Sequence, residues 1–488
     1  MRRFLNKLYE KSMFKNILKI SEYMLASIIN AVIAAASTVI LTRIFSPETF
    51  GIVNLFNSAS SVIMGIMCIG MDSSYIRFFY DPPNGDSNKV LAQKCILIPI
   101  VNVLLWGSLI VAFGGEQFSN QFIGIKSISA AIFIFANVLG QIIIRFLNIN
   151  YRMQGDTHKY FVQSVLTQLF LKLFVVAAAL ITVNNVVIIG FNALGILFLA
   201  CIYICIQFKS VFGDVKKTSL SYKGYKEVVF FAVFICPISI ISYLNTYTSQ
   251  LIIKKNLGAH DLGVFSAAAL FISAIAVFRT GFVTFWSPFM YKNYETHNKE
   301  ICMANRIVIL FCILGFCIIL LASDLLYLLI GENFREQQQI LGFLLINPLC
   351  ITAMETTYYG IAIAKKNHIS LINNLVSLLF NCALCYFFTQ YWGLTGAVIS
   401  SAVSGVLLFA LNTFWGQKYY RSVDSILRQI QFIAVIFIIS FLYYTLYSQK
   451  WIFNFIILTF LILELIRNKK LFSMILSLKK YNEGDKYE

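Results

Sequence analysis

Charged side chains are scarce in this chain, only 12% of its residues, so those set inside apolar runs carry most of the chemical information. Lys172 is the deepest cation: it lies about 13 residues past Lys159, roughly 20 Å along a helix. Ser164, Gln168 and Lys172 recur every four residues, which places them on one helix face. An ammonium flanked by an amide and a hydroxyl can bind phosphate, carboxylate or sugar oxygens. Arg145 and Arg279 are further cations for such an anion, with Arg279 near enough to a helix end to snorkel instead. Glu355 shares a face with Thr352 and Tyr359 and is the deep acid. It can neutralise a cation, carry a coupling proton, or pair structurally with a lysine. Glu22 is a shallower acid that can serve as a counter-ion or pair with Lys19.

Uncharged polar stripes accompany these groups. Ser370, Asn374, Ser377 and Asn381 form one face, Asn54, Ser58 and Ser61 a second, and Ser239, Ser242, Asn245 and Ser249 a third. Such stripes either line a polar cavity, Asn374 and Asn381 being candidates, or hold helices together. Enzyme chemistry finds no support: the chain has no G-x-x-x-x-G-K-[ST] phosphate loop, H-E-x-x-H or G-x-S-x-G. The eleven cysteines fall almost wholly in apolar segments, and the four histidines lack metal-ligand spacing. Neither a metal nor a cofactor is expected.

The elements that hold these residues are membrane helices. At 59% hydrophobic residues and a mean hydropathy of +0.76, the chain lies far from soluble composition. At about 20 residues per crossing, spans fit 17–44, 50–71, 91–113, 122–149, 160–182 and 186–206. Six more fit 228–250, 262–286, 307–329, 340–364, 369–388 and 394–414, with a last pair at 430–446 and 451–466. The first run is too long for a signal-peptide core and reads as an uncleaved helix. The fold class is therefore an all-α polytopic membrane protein of about 14 transmembrane helices. With the N-terminus inside, Lys and Arg favour the inner segments by about five to one. The net charge of +17 thus sets orientation and attracts anionic lipid rather than nucleic acid.

Asp72 and Arg77 mark the inner end of the second span, as a salt bridge or lipid-headgroup anchor. Pro237 offers a break in the seventh span beside its polar stripe. The turn T-R-I-F-S-P-E-T-F-G-I-V is echoed after the seventh span by K-K-N-L-G-A-H-D-L-G-V-F. Aligning Gly51 with Gly263 sets Arg43 against Lys255 and gives gating or close-packing roles to Arg43, Gly51 and Gly263. A unit of six helices used twice has both copies entering from one side, hence a pseudo-two-fold axis along the membrane normal. The expected division is a basic N-terminus (1–15), an N-terminal lobe (16–208) and a basic linker (209–227). A C-terminal lobe (228–416), an extra helix pair (417–467) and a cytoplasmic tail (468–488) complete it.

The turn R-I-F-S-P-E-T-F-G-I-V, the later G-M-D-S-S-Y-I-R-F-F and the YWGLTGAVISSAVSG stretch resemble the bacterial polysaccharide (O-antigen/capsule-type) flippases. These belong to the multidrug/oligosaccharidyl-lipid/polysaccharide exporter superfamily. Where that family often carries an Asp-Arg pair near the end of helix seven, this chain has Ser249-Gln250. No role of that pair carries over. The resemblance implies flipping of an undecaprenyl diphosphate-type oligosaccharide from the inner to the outer leaflet by alternating access, in a bacterial cytoplasmic membrane with both termini inside. It implies membrane lipids, a proton or sodium ion, and a polymerase or other polysaccharide-assembly proteins as partners. The alternatives are a cation-coupled drug antiporter of the same superfamily, which needs a dominant acidic cavity, and a membrane glycan polymerase or acyltransferase.

Overall fold

The computed structural model describes residues 25–80, 82–83, 88–211 and 222–468. Glu22 and Lys19, the N-terminal basic segment, most of the basic linker and the 469–488 tail lie outside the described residues. Every principal element is a helix. In chain order they are α1 (Leu25–Ile44), α2 (Pro47–Cys68), α3 (Met71–Phe78), α4 (Asn88–Ile123) and α5 (Ile128–Gln154). Then come α6 (Thr157–Ile181), α7 (Asn185–Val211), α8 (Tyr222–Leu257), α9 (Ala259–Asn293), α10 (Asn298–Leu321) and α11 (Ser323–Leu329). The last are α12 (Leu341–Met354), α13 (Tyr359–Ile363), α14 (Asn367–Tyr419), α15 (Ile426–Thr445) and α16 (Lys450–Arg467).

Twelve helices among the described residues are long and apolar enough to cross a membrane. Two details bring the number of crossings to the expected fourteen. The 53 residues of α14 would run about 80 Å if straight, more than twice a hydrocarbon core. The helix instead turns at Gly393, whose φ of 56° and ψ of −138° lie where only glycine is comfortable. Its two arms, 367–392 and 394–419, are the eleventh and twelfth crossings. The other addition is α12, too short alone, which continues into α13 after an interruption.

Three local expectations are corrected. The span at 50–71 ends at Cys68, where Ile69 and Gly70 adopt left-handed φ values of 47° and 73° and α3 starts afresh. Pro237 does not break its helix: α8 is continuous from Tyr222 to Leu257. The tenth span, expected whole at 340–364, is interrupted between Met354 and Tyr359. Tertiary acceptors and donors explain that break. Asn305 Nδ2 donates to Thr356 Oγ1 at 2.7 Å, Ser422 Oγ to the Thr356 carbonyl at 2.8 Å, and Gln417 Nε2 to the Thr357 carbonyl at 3.0 Å. The carbonyls released by the break are satisfied by neighbours, as backbone at membrane depth requires.

The chain forms two compact units. Unit one holds the described residues up to Thr284 with Ile330–Glu336 and Asn374–Ala397. In it α5 packs against α7 and α4, and α2 against α8. Unit two holds Phe285–Leu329, Gln337–Asn373 and the described residues from Val398 onward, with α12 packed on α15 and α10.

The α1–α2 turn shows how local chemistry sets unit one. Ser46 caps α2 by accepting from the Thr49 amide at 3.4 Å, and Pro47 occupies the first turn with Glu48. Gly51 and Gly263 then meet face to face. A Cβ at Gly51 would lie 2.7 Å from the Ala259 carbonyl oxygen, and a Cβ at Gly263 would run into the Pro47 carbonyl. The register that aligns Gly51 with Gly263 also aligns Pro47 with Ala259, so these contacts are reciprocal, as a two-fold relation demands. The same end carries a second matched pair. Gly331 sits against the Thr42 carbonyl and donates to Thr42 Oγ1 at 3.2 Å, while Lys254 Nζ donates to the Ile123 carbonyl beside Gly124.

Candidate functional site

The polar face of α6 becomes one wall of a cavity of about 520 Å³ in unit one. Its polar lining includes Ser61, Gln141, Arg145, Asn148, Arg152 and Tyr160, with Ser164, Thr167 and Gln168 from α6. Two arginines line it and no carboxylate does, among the described residues. Of the sequence candidates, Arg145, Ser164 and Gln168 are among its lining residues. Ser164 accepts a 2.8 Å hydrogen bond from Asn30 Nδ2 of α1. The Oδ1 atoms of Asn30 and Asn148 are buried with no hydrogen-bond partner among the described residues.

Lys172 stands one turn beyond Gln168, half-buried on α6, with no hydrogen bond or ion pair to any described residue. It is outside the immediate lining of the cavity. An ammonium at such depth costs about 2.5–3.5 kcal/mol even with snorkelling and local water. No partner within the described residues offsets that.

Arg145 is differently placed. Its Nε donates to Asp72 Oδ2 at 2.8 Å, a second guanidinium nitrogen donates to the same oxygen, and Nη1 reaches the Tyr243 hydroxyl at 3.3 Å. Asp72 is buried, whereas the Arg145 side chain keeps 39% of its surface open. The arrangement fixes the guanidinium from one side and leaves the other towards the cavity. Asp72 thus takes Arg145 rather than Arg77 as its salt-bridge partner. Arg77 is exposed and lies 5.7 Å from the Phe78 ring centroid. Tyr243 was not foreseen, since its role depends on α8 meeting α5 in three dimensions.

The other sequence candidates are not among the residues lining this cavity. Arg279 is half-buried on α9 and absent from the cavity lining. Asn374 is half-buried at the start of the α14 part of unit one. Asn381 donates to Asn245 Oδ1 at 3.1 Å and Ser249 Oγ at 2.9 Å, so the stripes of α14 and α8 bind each other. Glu355 is buried in unit two, at the interruption after α12 and close to the Tyr358 and Tyr359 phenols. Arg43 is exposed at the α1–α2 turn and lines an open cavity of about 600 Å³ with Glu332 and Arg335. Among the described residues no His, Cys, Asp or Glu group is arranged to hold a metal.

A buried amide chain behind the cavity escaped the sequence reading. Tyr75 donates to Asn150 at 3.0 Å, Asn150 to Gln207 at 3.0 Å, and Gln207 to Gln163 at 2.8 Å, joining α3, α5, α7 and α6. The available signal was amides set in two apolar runs, two in FLNIN and one in ICIQF.

Comparison with known proteins follows the same lines. The family described as polysaccharide biosynthesis protein matches residues 18–294, more than half of the chain. A Shigella flexneri protein named "Putative O-antigen transporter" is 27% identical over 227 residues, 45% of this chain and 54% of that protein. The match therefore spans about half the length of that relative. Among solved structures, the lipid II flippase MurJ in an inward closed conformation superposes with a TM-score of 0.66 at 14% identity, over 93% of this chain and 100% of that one. An inward-facing MATE family multidrug resistance transporter of the MOP superfamily gives 0.58 at 15% identity, over 80% and 94%. At those identities the likeness is one of fold, and the proteins that share it bear transporter names rather than enzyme names. This chain is thus a multi-pass membrane protein whose fold resembles that of the MurJ and MATE structures, and it belongs to the polysaccharide biosynthesis protein family.

Proposed function

We propose that the chain moves a lipid-linked oligosaccharide, on an undecaprenyl diphosphate-type carrier, from the inner to the outer leaflet of a bacterial cytoplasmic membrane. The observation that carries this reading is the α6 cavity, lined by Arg145 and Arg152 with amides and hydroxyls and by no described carboxylate. Such a lining suits diphosphate or acidic sugar oxygens. It disfavours a cationic drug, which needs the opposite polarity. Lys172, one turn deeper on the same face, draws the anion into the membrane, and Gln168 and Ser164 meet glycan hydroxyls.

The six-helix lobes, 16–208 and 228–416, alternate in exposing this surface, and the helix pair 417–467 flanks them. The reciprocal packing of Gly51 and Gly263 supports such a paired design. Both termini lie in the cytoplasm, as the Lys and Arg placement directs. The end that carries the α1–α2 and α8–α9 turns then faces outward, and its matched contacts close that side. Outward movement of negative charge is assisted by about 2.3 kcal/mol per charge per 100 mV of inside-negative potential. Proton or sodium exchange is an additional drive, with Glu355 as its acid. Polysaccharide-assembly enzymes act before and after this step.

The test is loss of function in the native bacterium. Removing the chain should deplete surface glycan while its lipid-linked repeat unit accumulates in spheroplasts, protected from an externally added glycan hydrolase. Accumulation that the hydrolase reaches would place the block after transport and sink the proposal.

A further inference from the structure

Unit two contains a separate charged cavity of about 430 Å³ that the proposed transport path does not use. Three arginines from three helices meet there. Arg306 stands in the third turn of α10, Arg428 in the first turn of α15, and Arg467 closes α16. Arg306 Nε donates to Asp424 at 2.5 Å, and Arg428 lies 3.8 Å from the same carboxylate oxygen. Arg467 bonds Glu464 at 3.0 Å, while the other Glu464 oxygen accepts from Asn468 at 2.7 Å. Three guanidinium groups therefore share two carboxylates.

Arg428 is the least well matched of the three. Its carboxylate is already engaged with Arg306, and it stands within the electrostatic reach of both other arginines. Its side chain is only 33% exposed, so water screens that repulsion incompletely. An anion seated beside it would relieve the crowding and accept charge-assisted hydrogen bonds.

The rest of the cavity indicates what carries the anion. Ile309, Leu310, Ile313, Phe432 and Val435 complete an apolar wall beside the arginines. On the neighbouring outer faces, Ile430, Leu463 and Ile466 are exposed by 56%, 64% and 65%, as side chains facing hydrocarbon are. A free phosphate would use the arginines and leave the apolar wall without purpose. Basic pockets between membrane helices on the cytoplasmic side suit lipid headgroups.

We infer that this cavity is a site for an anionic glycerophospholipid, its phosphate held by Arg428 and Arg467 and its acyl chains laid along the Ile309–Ile313 and Phe432–Val435 surfaces. The site is independent of what the chain transports. It would tie α10, α15 and α16 together at the membrane surface.

The test uses the full chain reconstituted into phosphatidylcholine vesicles with and without phosphatidylglycerol, then re-extracted for native mass spectrometry. Wild type should retain phosphatidylglycerol, and so should Arg421→Gln, which removes a nearby cation outside the cavity. The Arg428→Gln/Arg467→Gln variant should retain less, on the order of 10-fold. Equal retention by that variant would overturn the site. So would inorganic phosphate, added to protein in phosphatidylcholine alone, raising thermal stability as much as phosphatidylglycerol does. If the double variant is not recovered folded, Arg467→Gln replaces it, since that side chain is 69% exposed. Unchanged retention there would equally overturn the assignment.

Discussion

The fifth crossing of each half carries a polar face, and the two faces have different neighbours. On the first arm of α14, Asn381 meets a complementary stripe on α8 and donates to both Asn245 and Ser249. On α6, Ser164 accepts from Asn30, while Gln168 lines a cavity and Lys172 has no partner among the described residues. Similar sequence patterns thus yield helix packing in one place and an open polar surface in the other. The element across the stripe decides which, and the sequence of the stripe itself does not reveal it.

The strongest way to break this contrast is Lys172→Gln. The variant keeps length and hydrogen bonding but removes the charge. A charge-assisted hydrogen bond to an anion contributes roughly 1.5–3 kcal/mol, so glycan display should fall by about 10-fold or more. Membrane protein level should stay near wild type, because no described ion pair is lost, and Lys172→Arg should retain part of the display. Wild-type display from Lys172→Gln would remove the case for α6 as a transport surface.

Arg145 sharpens the comparison by combining both roles. Arg145→Gln leaves buried Asp72 without its cation, which should lower stability by about 3 kcal/mol and reduce display. Adding Asp72→Asn should restore thermal stability in detergent but leave display low. Recovery of display in the double variant would make the pair purely structural.

Gly51→Ala tests the close contact between Gly51 and Gly263. The new Cβ would stand 2.7 Å from one backbone atom and 2.8 Å from another, and backbone cannot swing aside as a side chain can. Overpacking of this kind costs about 1–3 kcal/mol, so folded protein should drop, with the surviving molecules transporting at a near-normal rate each. Normal abundance with abolished transport would instead identify Gly51 as a hinge.

The parts of this molecule readable in sequence are those with a strong local pattern. Fourteen crossings follow from apolar runs of membrane length, and the Gly51–Gly263 match follows from a repeated turn. The Ser164–Gln168 face follows from a four-residue spacing. What escaped depends on distant partners. Asp72 takes Arg145, 73 residues away, over nearby Arg77, because α3 and α5 meet while Arg77 points outward. Pro237 marked a break that does not occur, whereas the real one at 355–358 has no proline or glycine of its own. That break is stabilised by Asn305, Gln417 and Ser422, which no local reading could connect to it.

The smallest expected effect belongs to the face that is already paired. Asn381→Leu removes two hydrogen bonds to α8 but keeps the branched outline of the side chain. Interhelical hydrogen bonds in membranes average about 0.6 kcal/mol, and the Asn381 Oδ1 atom is buried without a partner among the described residues. Removing that oxygen offsets part of the loss, because an unsatisfied carbonyl is itself costly there. Thermal stability should therefore change by under about 1 kcal/mol, and glycan display should stay close to wild type. The measurement is display per folded molecule, with Gln168→Leu on α6 assayed in parallel. A sharp fall for Asn381→Leu with Gln168→Leu unaffected would reverse the assignment and move the transport surface from α6 to the α14 and α8 stripes.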